Sequence, residues 1–202
     1  MDHLKDLKII ITAAGSGIGA EMAKTLVNNG SNVLVCDKDE LALKRLKNDC
    51  PGVSTIQADV SNESDVSMFF EEAKSEFGNL DALINNAGVS GPSAKLEDID
   101  PKDWEKTIKT NLTGTFMCSK AAIPLLKKSG GGSIINIGSS SSFMGTPLRS
   151  AYTASKWGLI GLTKTWAMEY GKDKIRSNAI CPTSVSGERI EAVIQRDAKY
   201  RN

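Results

Sequence analysis

Residues 7–27 confine this chain to a narrow set of folds. Leu7-Lys8-Ile9-Ile10-Ile11-Thr12 is a short apolar run, and Ala13-Ala14-Gly15-Ser16-Gly17-Ile18-Gly19 follows at once. Residues 20–27 then carry apolar side chains at helical spacing and stop before Gly30. Strand, glycine turn and helix in that order are the context that a dinucleotide-binding turn needs. Glycines let the backbone approach a pyrophosphate, and the helix N-terminus offers free N–H groups and a positive dipole end. Glycines also close ordinary turns, so the turn needs support. It comes from a second strand-like run, Asn32-Val33-Leu34-Val35-Cys36, which ends on Asp37. That acid stands about 20 residues past the glycines, where a carboxylate can accept bonds from the adenosine ribose hydroxyls.

The alternation continues along the chain. Residues 40–46 read as helix, 53–58 as strand, 63–77 as a helix closed by Gly78, and 80–84 as a strand running into Asn85-Asn86-Ala87-Gly88. A polar loop, 89–100, precedes a long helix over 101–126, with Pro101 in its first turn and Pro124 kinking its end. Gly130-Gly131-Gly132 breaks that helix before a fifth strand at 133–137. A second long helix covers 151–170, a sixth strand 175–180, and an amphipathic helix 188–199. Such alternation predicts an α/β fold, a doubly wound parallel sheet of Rossmann type with helices on both faces. With no internal repeat or linker, residues 1–202 read as a single NAD(P)-binding domain.

Charge and cysteine usage remove several function classes. Twenty-five basic and twenty-four acidic residues leave a net charge of +1, which offers no basic field for nucleic acid or a membrane surface. The four cysteines are scattered and the one histidine is His3, so a zinc site, a cysteine–histidine nucleophile or a Ser-His-Asp triad is not expected, and no metal is assigned. Cys36 and Cys181 sit in apolar runs and read as buried small hydrophobes. The first six residues hold two acids and no apolar stretch, and no segment approaches the ~20 apolar residues of a membrane span. A cytoplasmic location is the default expectation.

Chemistry concentrates in Ser139 and in Tyr152-Thr153-Ala154-Ser155-Lys156. A tyrosine and a lysine four apart share a helix face, and an ammonium beside a phenol favours the phenolate. Such a tyrosine can exchange a proton with a carbonyl or alcohol oxygen near neutral pH. Ser139, thirteen positions upstream at the end of an apolar run, can bring a hydroxyl beside that phenol. Taken singly, Tyr152 reads more safely as a core aromatic, and Lys156 also reads as a solvated charge; their joint occurrence with Ser139, Asn111 and the glycine turn favours the functional reading. Ser140, Ser141 and Ser142 compete with Ser139 as turn residues; the spacing favours Ser139, with Ser141 second as a substrate-contacting hydroxyl.

These motifs, in this order over residues 7–185, resemble the short-chain dehydrogenase/reductase family in its compact single-domain form. The family's TGxxxGxG pattern matches Thr12, Gly17, Ile18 and Gly19, with Ala13 where glycine is usual. Asp59-Val60 resembles its adenine-contacting pair and Asn85-Asn86-Ala87-Gly88 its NNAG motif, while Cys181-Pro182-Thr183 stands where Pro-Gly is usual. The resemblance implies a catalytic set of Asn111, Ser139, Tyr152 and Lys156, and substrate contacts from Ser139, Ser141 and Tyr152. It implies cofactor contacts from Thr12, Gly15, Ser16, Gly17, Ile18, Gly19, Asp37, Asp59, Val60, Asn86, Ala87, Gly88, Tyr152, Lys156, Pro182 and Val185. Asp59 also reads, equally well, as a cap for the helix that follows it. In the family Asn111 would hold a water linking the lysine to solvent.

The resemblance further implies an NAD(H)-dependent oxidoreductase that interconverts a secondary alcohol and a ketone on a small organic substrate. NAD is expected because Asp37 would repel a 2′-phosphate and Ser16 stands where NADP-preferring relatives often carry a cation; Lys38 argues the other way. Two alternatives stay open: a shortened or inactive NAD-binding protein, and a 3-oxoacyl-carrier-protein-type reductase. Relatives continue past the point corresponding to Asn202 into a seventh, edge strand, so a C-terminally shortened sheet of six strands is expected. Family members pair through the two long helices, for which Ala121, Ala122, Trp157, Leu162 and Trp166 are available here, or else for the core. A homodimer rather than a tetramer is expected.

Overall fold

A computed structural model describes residues 2–201. In chain order the elements are β1 (Lys8–Thr12), α1 (Gly17–Asn28), β2 (Asn32–Asp37), α2 (Glu40–Asp49), β3 (Ser54–Gln57), α3 (Glu63–Phe77) and β4 (Ala82–Asn85). Then come α4 (Pro101–Ile108), α5 (Gly114–Lys128), β5 (Gly132–Ile137), α6 (Ser150–Tyr170), β6 (Ile175–Ile180) and α7 (Glu188–Arg201). Among the described residues six strands form one sheet in the order β3-β2-β1-β4-β5-β6, and each pairing is parallel. This is the Rossmann-type sheet that the alternation predicts.

Strand order reverses between β1 and β4, so a crevice opens past their carboxyl ends. Thr12 ends β1 and Asn85 ends β4, which puts the glycine turn and the Asn-Asn-Ala-Gly segment on either side of it. The period-two rule splits the core. Ile10, Leu34, Leu83 and Ile134 pack with Phe69, Phe70, Cys118, Leu126 and Trp166 of α3, α5 and α6. Ile9, Ile11, Val33, Val35 and Ile84 pack with Ala20, Ala23, Leu43 and Leu46 of α1 and α2. Both sheet faces are covered by helices, as continuously apolar parallel strands require.

Helix ends follow local chemistry. The Asp39 carboxylate accepts the Ala42 N–H to start α2, Asp100 accepts the Lys102 N–H ahead of Pro101 to start α4, and Gly78, at φ +73°, stops α3. The cap expected of Asp59 belongs to Asn62, whose side chain accepts the Ser64 N–H at 3.0 Å. Asp59 instead folds back on Ser61, accepting its N–H and its hydroxyl, each at 2.8 Å.

The long helix expected over 101–126 is not one α-helix. Between α4 and α5 the backbone takes a π-helical turn, Lys109–Thr113, centred on buried Asn111. A π turn inserts a residue into the helical ladder and is common at functional sites. Pro124 lies inside α5 and does not end it; the helix continues to Lys128. Of the apolar candidates for pairing, Ala122 and Trp166 are core residues and Ala121 packs against the core, while Trp157 is 52% exposed.

Cys36 is fully buried, and that burial pushes its thiol up to about 12; burial also raises the buried Cys118 thiol. Both stay protonated and unreactive at neutral pH. Cys181 departs from expectation by being only half-buried, because it lies just past the end of β6, the edge strand. Among the described residues no helix is long and apolar enough to cross a membrane.

Candidate functional site

Thr12 laces the two sides of the crevice together. It is 1% exposed, and its hydroxyl accepts the N–H groups of Asn86 and Ala87, both at 3.1 Å. The Asn86 amide returns the connection, donating to the Thr12 carbonyl at 3.1 Å and the Ala13 carbonyl at 2.8 Å. Ala13, where glycine is usual in the family, adopts φ +50°. The left-handed region costs an alanine about 1 kcal/mol, and the Asn86 bond to its carbonyl helps to hold it there. Thr12→Val keeps the shape but leaves two N–H groups without an acceptor. Urea unfolding is expected to show a loss of about 2–6 kcal/mol at unchanged m-value, at about 1–3 per stranded donor. An unchanged midpoint would mean that the lacing contributes nothing.

The glycine turn opens outward beyond this knot. Ser16, Gly17 and Ile18 are exposed at the start of α1, and Ser16 precedes the helix in an extended conformation without a side-chain cap. A side chain at Gly17 would meet nothing within 4 Å, so the exposed N–H end of α1 faces open space. Asp37 lies directly against the turn. Its Oδ2 accepts the Gly15 N–H at 3.0 Å and its Oδ1 the Asp39 N–H at 3.0 Å. A Cβ on Gly15 would come within 2.8 Å of Ala42 Cβ and 3.1 Å of Asp37 Oδ2, so glycine permits that approach. Val60 is buried against Gly114 at the start of α5, beside half-buried Asp59.

The Asn-Asn-Ala-Gly segment leads from this turn to the second cluster. A Cβ on Gly88 would stand 3.4 Å from Asn111 Oδ1 and 3.6 Å from Lys156 Nζ. Asn111 is 0% exposed; its Oδ1 accepts the Val89 N–H at 2.7 Å, and its Nδ2 donates to the Val89 carbonyl and to Ser155 Oγ, both at 3.0 Å. The asparagine thus pins the loop after β4 to α6. Lys156 is 3% exposed and donates to the Ile137 carbonyl at 2.7 Å. Its Nζ lies 5.7 Å from the Tyr152 ring centroid. Tyr152 and Lys156 therefore occupy one face of α6, beside the ends of β4 and β5.

Ser139 leaves β5 in extended conformation and caps the short turn Ser140–Ser142, its hydroxyl accepting the Ser141 N–H at 3.2 Å. That turn packs on α6. Ser141 is buried and pairs its hydroxyl with Thr146 at 2.9 Å, which gives it a part in the loop's own structure. The Pro182 carbonyl accepts the Ser140 N–H at 2.9 Å, so the segment after β6 lies alongside. Val185, further along, is exposed.

Arg149 ends the 140–149 segment expected to border the substrate but is not among the expected site residues. Its guanidinium carbon is 4.7 Å from the Tyr152 ring centroid, and a signal was available, since it precedes Tyr152 by one helical turn. Arg196 of α7 was also missed; it bonds Ser90 and Gly91 of the same loop.

Known proteins are similar to this chain in sequence and in fold. The family model described as short chain dehydrogenase matches residues 7–198. The trans-4-hydroxycyclohexanecarboxylate dehydrogenase of Sinomonas cyclohexanicum is 39% identical over 194 residues, covering 91% of this chain and 74% of that protein. The D-beta-hydroxybutyrate dehydrogenase of Rhizobium meliloti (strain 1021) is 35% identical over 200 residues, covering 95% and 76%. Among solved structures, that of an NAD+-bound xylitol dehydrogenase superposes with a TM-score of 0.92 at 29% identity, covering 97% of this chain and 77% of that one.

Proposed function

The chain belongs to the short-chain dehydrogenase family, and we propose that it is an NAD(H)-dependent enzyme interconverting a secondary alcohol and a ketone on a small hydroxy acid. The observation that carries this is the placement of Tyr152 and Lys156 on one face of α6, with Gly88 against the Lys156 ammonium. The names of the two relatives, both dehydrogenases of hydroxy acids, support the substrate class.

The residues present fit a dinucleotide. Gly15, Ser16, Gly17, Ile18 and Gly19 would receive the pyrophosphate at the open end of α1, and the Asp37 carboxylate beside Gly15 would accept the ribose hydroxyls. Val60 and Asp59 would border the adenine, with Thr12, Asn86, Ala87 and Gly88 forming the floor of the crevice and Pro182 and Val185 flanking the far end. When bound, the nicotinamide supplies or takes the hydride. Tyr152 gives a proton to the ketone oxygen, or takes one from the alcohol. Lys156 holds its ammonium beside the phenol and within reach of a ribose, and Ser139 orients the reacting oxygen. Asn111 fixes the loop and helix that carry these groups.

NADH is expected to bind more tightly than NADPH, because Asp37 would face the 2′-phosphate with a like charge. Side-by-side fluorescence titration checks this. Equal or tighter NADPH binding would mean that Lys38 outweighs Asp37.

The same chain is proposed to pair with a second copy through α5 and α6. Leu112, Phe116, Gly158, Gly161 and Leu162 line an open apolar groove, and Phe116 and Trp157 are 46% and 52% exposed. Light scattering at micromolar concentration should give a dimer; a clean monomer removes the idea.

A further inference from the structure

Four buried polar side chains join the sheet to α5 and α6, and the proposed reaction gives none of them a part. Asn85 of β4, Asn136 of β5, Ser119 of α5 and Thr163 of α6 are 3%, 0%, 2% and 7% exposed. Asn85 Nδ2 donates to Ser119 Oγ and to Asn136 Oδ1, both at 2.9 Å, and Asn136 Nδ2 donates to Thr163 Oγ1 at 2.9 Å. The Thr163 hydroxyl itself donates to the Leu159 carbonyl at 2.6 Å, which leaves its oxygen as an acceptor for Asn136. The bonds therefore run from β4 to β5 to α6, with a side arm to α5. Asn136 immediately precedes Ile137, whose carbonyl accepts Lys156 Nζ at 2.7 Å. Thr163 follows Lys156 by about two helical turns, on the same face of α6. Two side-chain hydrogen bonds thus tie α6 to neighbouring residues of β5, one at the lysine and one further along the helix.

We propose that Asn136 and Thr163 are positioning residues: their hydrogen bond fixes where α6 stands along β5, and so where the Lys156 ammonium meets the Ile137 carbonyl and the Tyr152 ring. The proposal rests on the part given above to Lys156 and Tyr152 in the oxidoreductase reading. Apolar contact has no preferred direction, so the buried α6 residues Leu159 and Trp166 stay in contact with the core while the helix slides by a fraction of an ångström. A hydrogen bond at 2.9 Å between groups whose orientations are already set does not tolerate the same slide. Those orientations are set, because the Asn136 oxygen takes the Asn85 amide and the Thr163 hydroxyl is turned to Leu159. Helix α6 carries Tyr152 and Lys156 on one rigid body, so a bond that fixes its register fixes both groups at once.

Thr163→Val is close in volume and removes the acceptor, whereas Thr163→Ser keeps it. With NAD and a secondary alcohol, Thr163→Val should lower kcat by about tenfold or more at little-changed KM, since a slight misplacement of a reacting group is costly even when its cause is remote. Thr163→Ser should restore most of that loss. Ser119→Ala is the control, because it breaks the arm to α5, which does not reach α6, and should leave kcat at the parent's level. Asn136→Leu combined with Thr163→Val removes both partners without stranding the amide, so it keeps the test open if Thr163→Val alone fails to fold; it should show the same loss of turnover. A second readout needs no turnover: proton–nitrogen NMR of the lysine ammonium groups, with the Lys156 signal identified by its absence in Lys156→Met. That signal should stay in place in Thr163→Ser and Ser119→Ala and should shift or broaden in Thr163→Val and in the double variant. If it does so while the parent oxidises no alcohol, the oxidoreductase reading falls and the positioning role stands. An unmoved Lys156 signal or an undiminished kcat in folded Thr163→Val or in the double variant, no rescue by serine, or an equal loss in Ser119→Ala, overturns it.

Discussion

Tyr152→Phe should lose nearly all turnover, by about 10²–10⁴-fold in kcat, while NADH affinity stays unchanged; this is the range that a positioned general acid–base contributes. The substitution removes one hydroxyl and little else. The ring remains, with the Arg149 guanidinium 4.7 Å and the Lys156 ammonium 5.7 Å from its centroid, so both cation–π contacts survive. The Asn111 bridge to Val89 and Ser155 does not involve the phenol and also survives. What disappears is the proton that must move with the hydride. Steady-state rates with a secondary alcohol and NAD, set beside an NADH titration, separate the two effects. A variant that kept activity within a few-fold of the parent would refute the acid–base assignment. Lys156→Ala makes the useful contrast: it should damage both rate and cofactor affinity, because its ammonium lies at Gly88 and the Ile137 carbonyl as well as near the phenol.

Which features were legible in the sequence depends on how local their causes are. The helix over 63–77 and the strand over 175–180 agree with the structure to the residue, because Gly78 stops the one and apolar patterning with turn residues bounds the other. Asn111 was legible as a special residue but not as the centre of a π turn. An extra residue in one helical turn barely disturbs a 3.6-residue hydrophobic period, and the reason for the turn lies in partners 22 and 44 residues away. The sequence offers Asp59 as a cap of α3, but Asn62 stands directly before the first helical residue, Glu63, in extended conformation and takes that part. Ser141 showed only as one of four consecutive serines; its hydroxyl's pairing with Thr146 is a loop contact that no periodicity encodes. Arg149 was hidden for a similar reason. An arginine after Thr146-Pro147-Leu148 reads as a solvated loop charge until the fold places Tyr152 and Ser90 around it.

Gly19→Ala should do more harm to the fold than its single added methyl suggests. A Cβ at this position would lie 2.6 Å from Asn86 Nδ2, 2.7 Å from Ala14 Cα and 2.8 Å from the Ala13 carbonyl oxygen. Two of those neighbours are backbone, so a rotamer change cannot relieve the clash and the turn itself must move. The third is the amide that ties β4 to β1 by donating to the Thr12 and Ala13 carbonyls. Gly19 is a helical residue of α1, so closeness and not backbone freedom is what demands glycine. Overpacking costs about 1–3 kcal/mol, and loss of the two Asn86 bonds adds about 0.5–1.5 each, so a total of about 2–6 kcal/mol is expected in urea unfolding. Displacement of the turn should also cost NADH affinity tenfold or more, because the same N–H groups would receive the pyrophosphate. Gly17→Ala gives the comparison. Its added methyl meets open space, and the φ of +57° costs only about 1 kcal/mol. If Gly19→Ala unfolded at the same urea concentration as the parent and bound NADH equally well, the close contact between glycine turn and Asn86 would have no part in either stability or binding.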